Sequence, residues 1–194
     1  MYGKTSAGLG LPVLVDADGK LITVPGGGAL ADAAINGRLF CAAMQTPTTT
    51  STTLNTTFVG LGLCNPTGSG KLIIVHQFSY AATAALTAEA LLALATTTDS
   101  GFAADITPRC CRYGYATSIA IVDKGATIVA PVIERIIATL GQGADSVQLG
   151  GAPPNIVNIN GGIVLAPGRA LVTDTTVATG AVMQFGYLWE EIDS

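Results

Sequence analysis

Gly70-Lys71, closing the stretch Asn65-Pro66-Thr67-Gly68-Ser69-Gly70, comes nearest in this chain to a phosphate-binding loop. The match fails on three counts: Asn65 replaces the first glycine, Leu72 follows the lysine in place of Ser or Thr, and Ile73-Ile74-Val75 comes next. A phosphate loop must open a helix whose N-terminal amides hold the anion, whereas a β-branched run favours a strand. The stretch therefore reads as a turn between strands. Gly26, Gly28 and Ala31 spell a dinucleotide-type G-x-G-x-x-A, but Pro25 interrupts the strand that should lead in. Asp16 and Asp18 would start a calcium loop, yet Lys20 stands where a third ligand is needed, so both read as turn formers.

His76 is the one histidine, and a Ser-His-Asp site would require it. No G-x-S-x-G accompanies it, and its apolar neighbours predict a core or interface histidine satisfied by one hydrogen bond. Glu190 and Glu191 are adjacent, so on a strand they point to opposite faces and cannot act as one acid/base pair. Cys41, Cys64, Cys110 and Cys111 lack C-x-x-C spacing, and a single histidine completes no metal set. They are expected to be buried free thiols. Arg109, Arg112, Tyr113 and Tyr115 make too small a basic-aromatic group to overcome a net charge of −4 for nucleic-acid binding. No catalytic, cofactor-binding or metal-ligating residue is nominated, and the chain reads as a non-enzymatic assembly subunit.

The elements that would position such residues are mostly β. At 194 residues the chain fits one body with an arm, and with 49% hydrophobic and 11% charged residues it carries few charges to solvate a surface. Such a surface is expected to be covered by copies of the chain or by a partner. No apolar run is long enough to cross a bilayer, and the first residues, MYGKTSAGLG, show no secretory or transit pattern. Manufacture and assembly in a cytoplasm, without membrane, are the expectation.

Residues 1–28 are read as an N-terminal arm, with a hairpin over 11–24 turning at Asp16-Ala17-Asp18-Gly19 and a Pro-Gly-Gly-Gly linker. Residues 29–194 form the body. Its first strand is expected at 38–44, after a short helical or extended entry. A Thr-rich loop leads into a hairpin over 58–80, in which Leu72, Ile74, His76, Phe78 and Tyr80 share one face. Residues 81–95 have helix-forming composition, and 132–140 fit a helical stripe or a strand. Strand signals at 117–122 and 126–130 flank a turn at Asp123-Lys124-Gly125. The last third predicts strands at 156–159, 162–166, 170–173 and 181–192, with turn signals at sandwich spacing. On the last strand Met183, Phe185, Tyr187 and Trp189 share one face, which is core or oligomer interface.

Four segments together, LPVLVDADGKLI, LCNPTGSGKLIIVHQFSY, IVLAPGRALV and GYLWEEI, resemble small structural proteins of tailed-bacteriophage virions. The resemblance implies a jelly-roll-like antiparallel β-sandwich that assembles as a homotrimer and decorates or cements a capsid, or forms a spike or fibre knob. It also favours strands at 81–95 and 132–140. Its partners would be itself and the major capsid protein or another virion protein, with no cofactor and a virion location. Val13, Leu14, Val15, Leu21, Ile22 and Val24 of the arm would be the partner contacts, pairing with an exposed sheet edge. The alternative in the same setting is a tail or spike module that binds a host glycan through Tyr113 and Tyr115.

Overall fold

The computed structural model describes residues 2–4, 10–12, 28–50, 57–84, 86, 89–128, 131–140, 155–179 and 182–194. Near the N-terminus β1 (Tyr2–Lys4) pairs antiparallel with β2 (Gly10–Pro12), so Leu11 lies opposite Gly3. The expected arm contacts Val13, Leu14, Val15, Leu21, Ile22 and Val24 lie outside the described residues, as does the turn at 16–19.

One short helix, α1 (Gly28–Ile35), opens the described body. It ends where Gly37 takes a φ of 70°, with Gly37 N–H bonded to the Ala34 carbonyl and Arg38 N–H to the Ala33 carbonyl. That double reversal is the glycine-dependent helix stop, and it turns the chain straight into β3 (Leu39–Ala43).

The strands that follow are β4 (Thr57–Asn65), β5 (Lys71–Ala82), β6 (Ala90–Thr98), β7 (Arg109–Cys110), β8 (Ile121–Thr127), β9 (Val132–Leu140), β10 (Asn155–Leu165), β11 (Arg169–Thr175) and β12 (Met183–Asp193). They form two five-stranded antiparallel sheets. Sheet one has the order β10-β5-β12-β3-β7, and sheet two the order β8-β4-β11-β6-β9. Four pairings organise them: β3 with β12, β4 with β11, β5 with β10, and β6 with β9. The chain is thus one long antiparallel hairpin whose successive strand pairs are rolled into opposite sheets. Short β7 and β8, inserted near its tip, add an edge to each sheet through β3 and β4.

The core fills the space between the sheets. Leu61, Leu63, Ile73, Val75, Phe78, Leu92, Leu94, Leu165 and Leu171 are buried there, together with Met183, Phe185, Tyr187 and Trp189. Phe78 lies 5.9 Å from Phe185 and 5.3 Å from Tyr187, ring centre to ring centre, and Phe40 stacks on Trp189. A smaller cluster of Ala95, Ile128 and Val172, with Phe102 against it, covers part of the outer face of sheet two.

Several local expectations change. Residues 58–80 are not a hairpin, because β4 and β5 lie in different sheets and the turn between them arches across the sandwich. The face shared by Leu72, Ile74, His76, Phe78 and Tyr80 is broken by a bulge where the β12 register shifts between Leu188 and Trp189. One extra residue exchanges the faces of a strand, so Ile73, Val75 and Phe78 point inward while His76 does not. The turn at 123–125 is absent, because β8 runs through it. Asp123 is buried and accepts the amides of Gly125 and Ala103 at 2.7 and 2.6 Å. The two strands at 156–159 and 162–166 are one, with Asn160 and Gly161 at positive φ inside it. Within 81–95 the described segments continue β5 and begin β6, and 132–140 is a strand.

Candidate functional site

The residues singled out for chemistry are dispersed over the sandwich. Lys71 begins β5, its ammonium 2.6 Å from the Asp193 carboxylate. Asn65 closes β4 with its side chain buried. The amide donates to the Lys71 and Leu165 carbonyls, each at 2.8 Å, while its oxygen accepts the Ser69 hydroxyl at 2.6 Å. The loop that imitates a phosphate site is therefore a turn stapled by its own asparagine.

His76 and Glu190 meet on the outer face of sheet one, with Nε2 and Oε2 3.5 Å apart. The other Glu190 oxygen stands 3.1 Å from Arg38 Nε, and Arg38 also reaches Asp32 of α1 at 3.0 Å. One carboxylate shared between a guanidinium and an imidazole ties helix, β3, β5 and β12 together, which fastens surface elements. Glu191 points the opposite way, as adjacent strand residues must. It is buried and accepts Ser118 Oγ at 2.5 Å, Ile119 N–H at 3.2 Å and Trp189 Nε1 at 3.1 Å. These donors anchor the segment before β8 to the last strand. Nothing in the sequence pattern marks the Glu191 bonds to Ser118 and Ile119 or the Asn65 bond to Leu165, since these partners lie far along the chain.

The basic-aromatic group is a loop surface. Arg112 donates to the Ile35 carbonyl at 2.7 Å, completing the end of α1, and its guanidinium lies 3.9 Å over the Tyr115 ring. Tyr115 packs where a Cβ on Gly37 would stand. Tyr113 beside it is 86% exposed.

On one side of the sandwich β9 ends sheet two and β10 ends sheet one. Arg135 of β9 reaches the Gly162 carbonyl of β10 at 3.3 Å, so the two edges adjoin. Val132, Ile133 and Ile136 of β9 are 62%, 43% and 67% exposed, and Ile156 and Val164 of β10 are 60% and 51% exposed. Half of the large exposed hydrophobic side chains among the described residues stand on these two strands. β10 has no charged residue and β9 only Glu134 and Arg135. Each edge also leaves a row of backbone donors and acceptors without a neighbouring strand among the described residues.

The fold and this surface define a class: a β-sandwich protein of two antiparallel five-stranded sheets with an apolar double edge. Comparison of the chain with protein-family models, curated proteins and solved structures finds no match. No helix among the described residues is long and apolar enough to cross a membrane.

Proposed function

We propose that this chain is a non-enzymatic structural subunit that joins copies of itself through the β9–β10 edge, and that it serves as a decoration or cement protein on a bacteriophage capsid. The observation that carries the assembly reading is the exposed apolar residues of two nearly uncharged edge strands, Val132, Ile133 and Ile136 on β9 and Ile156 and Val164 on β10. Apolar area of this kind is stabilised by burial at roughly 25 cal/mol per Å². A second copy is the occupant best matched to it, because homo-oligomer interfaces are the more apolar class. The register shifts in β9, after Leu92 and after Leu94 of its partner strand, twist the edge away from open-ended ladder extension. Closed assembly, such as a trimer, follows from side-chain packing in place of fibre growth. Support for the virion setting comes from the resemblance of four sequence segments and from the rolled pairing of β3 to β6 with β12 to β9, the strand order of a jelly roll.

The test compares the full chain with an Ile133→Glu/Ile136→Glu variant by sedimentation and by binding to capsids stripped of accessory proteins. Both positions are exposed, so the variant keeps its fold. The expected result is a closed oligomer that saturates capsid sites, with the variant monomeric and its capsid binding at least tenfold weaker. A wild-type monomer overturns the assembly reading. An oligomer that ignores capsids overturns the cement role alone. In that event retention on host polysaccharide, lost in Tyr113→Ala, supports the glycan-binding module, which the exposure of Tyr113 beside the Arg112–Tyr115 stack favours.

A further inference from the structure

Cys41 lies on β3, and β7 runs antiparallel beside it at the edge of sheet one. The register sets Cys41 opposite Arg109 and Phe40 opposite Cys110, and the Cys111 N–H donates to the Leu39 carbonyl at 2.8 Å. Phe40 and Cys110 belong to the core, so Cys41 and Cys111 share the outer face, in diagonal positions of neighbouring strands. The Cys41 sulfur is among the neighbours that push the Cys111 thiol up. Both residues are partly exposed, while Cys64 and Cys110 are buried, and the Cys110 thiol is directed to the Gly37 carbonyl at 3.8 Å. Small molecules reach the pair from two sides. One depression, of about 360 Å³, is lined by Ala34, Ile35, Cys111 and Arg112, and another, of about 500 Å³, includes Cys41, Gln45, Asp105 and Arg109.

We propose that Cys41 and Cys111 are a redox-closed pair, forming a disulfide that locks β7 and its loop to the edge of sheet one when the protein meets a disulfide oxidant such as oxidised glutathione. The Cys41 thiolate attacks one sulfur of the oxidant, making a Cys41–glutathione disulfide and releasing one glutathione thiolate. Cys111, as thiolate, then attacks Cys41 Sγ and releases the second. Two protein thiols are oxidised, one small disulfide is reduced to two thiols, and the protons pass to the released glutathiones. Burial, with the neighbouring Cys41 and Cys110 sulfurs, pushes the Cys111 thiol up to about 11. Once Cys41 is a mixed disulfide, its charge no longer opposes ionisation of Cys111. Cys111 is the first residue beyond a two-residue strand, so little ladder resists its adjustment to disulfide geometry. The cross-link closes a long loop and constrains the unfolded chain.

The test incubates the reduced, folded full chain with oxidised glutathione, counts thiols by alkylation and maps the link by fragmentation. The expected outcome is loss of two of the four thiols, a mass lower by two hydrogens, and a link from Cys41 to Cys111 that dithiothreitol reverses. The closed form should unfold at higher urea than the reduced form. Cys41→Ser and Cys111→Ser, both at partly exposed positions, should each form no cross-link and hold one glutathione instead. Four free thiols in the folded wild type, or a link between Cys110 and Cys111, overturns the proposal. Neither outcome bears on assembly through β9 and β10.

Discussion

Glu191 illustrates how one side chain stabilises a distant segment. Its carboxylate is only 5% exposed and takes three donors, two of them from Ser118 and Ile119. A carboxylate presents acceptors only, whereas an amide turns its NH2 toward at least one of those donors. Glu191→Gln is therefore expected to lower stability by about 2 kcal/mol in urea unfolding, because a buried group loses its partner. A change under about 0.5 kcal/mol would remove Glu191 from this role. Cys64 carries a second residue-scale consequence. Burial first, then the Asp99 and Asp123 carboxylates, push its thiol from 9.0 up to about 12. The folded chain keeps a proton that the unfolded chain gives up, so this contribution is whole below pH 9.0 and is lost as pH rises toward 12. The loss runs at about 1.4 kcal/mol per pH unit inside that window. Cys64→Ala should flatten the alkaline limb of a stability–pH curve, and equal slopes in wild type and variant would contradict the assignment.

At the scale of elements, the arch from β4 to β5 depends on Asn65. Its amide serves the start of β5 and the end of β10 at once, and its backbone carbonyl accepts Gly168 N–H at 2.8 Å from the turn before β11. One side chain thus joins both sheets at one end of the sandwich. Asn65→Ala leaves two carbonyls without their donor and is expected to cost about 2–3 kcal/mol in equilibrium unfolding. Asn65→Asp, which sets acceptor against acceptor, should be at least as unfavourable. If Asp were tolerated like wild type, the amide would not be the bonding group. The bulge at His76 belongs to the same scale. It changes which face of β5 is buried, and it places the imidazole beside Glu190 on the surface.

For the molecule as a whole, the pairing of β3 with β12 and of β4 with β11 means that most of the stabilising contacts join residues far apart in sequence. Closing such a fold costs loop entropy before its contacts form, so folding is expected to be slow relative to helical proteins of equal length. The same rolling brings β9 and β10, consecutive in the chain, to the edges of opposite sheets, where each exposes apolar residues. A stable oligomer needs on the order of 1,200–2,000 Å² of buried surface. Two edge strands supply part of that area, so the Ile133→Glu/Ile136→Glu pair is placed where the loss of apolar contact weighs most.

Composition, β-branched runs and turn residues determined the mainly β character, the sandwich and the shared face of Met183, Phe185, Tyr187 and Trp189, because alternation along a strand is written locally; packing of the two sheets made that face the core. The turn over 65–70, with Gly68 at positive φ, was readable for the same reason, being a local backbone requirement. Strand partners were not. The turn residues at 65–70 suit a hairpin and an arch alike, and only the competition of β10, β11 and β12 for the flanking strands separates β4 from β5. The bulge in β5, the passage of β8 through Asp123-Lys124-Gly125 and the burial of Glu191 all depend on partners tens of residues away. Tertiary structure alone also decided that Cys41 and Cys111 stand on neighbouring strands of one sheet while Cys64 stands in the other, because strand register, not spacing in sequence, sets which cysteines are neighbours.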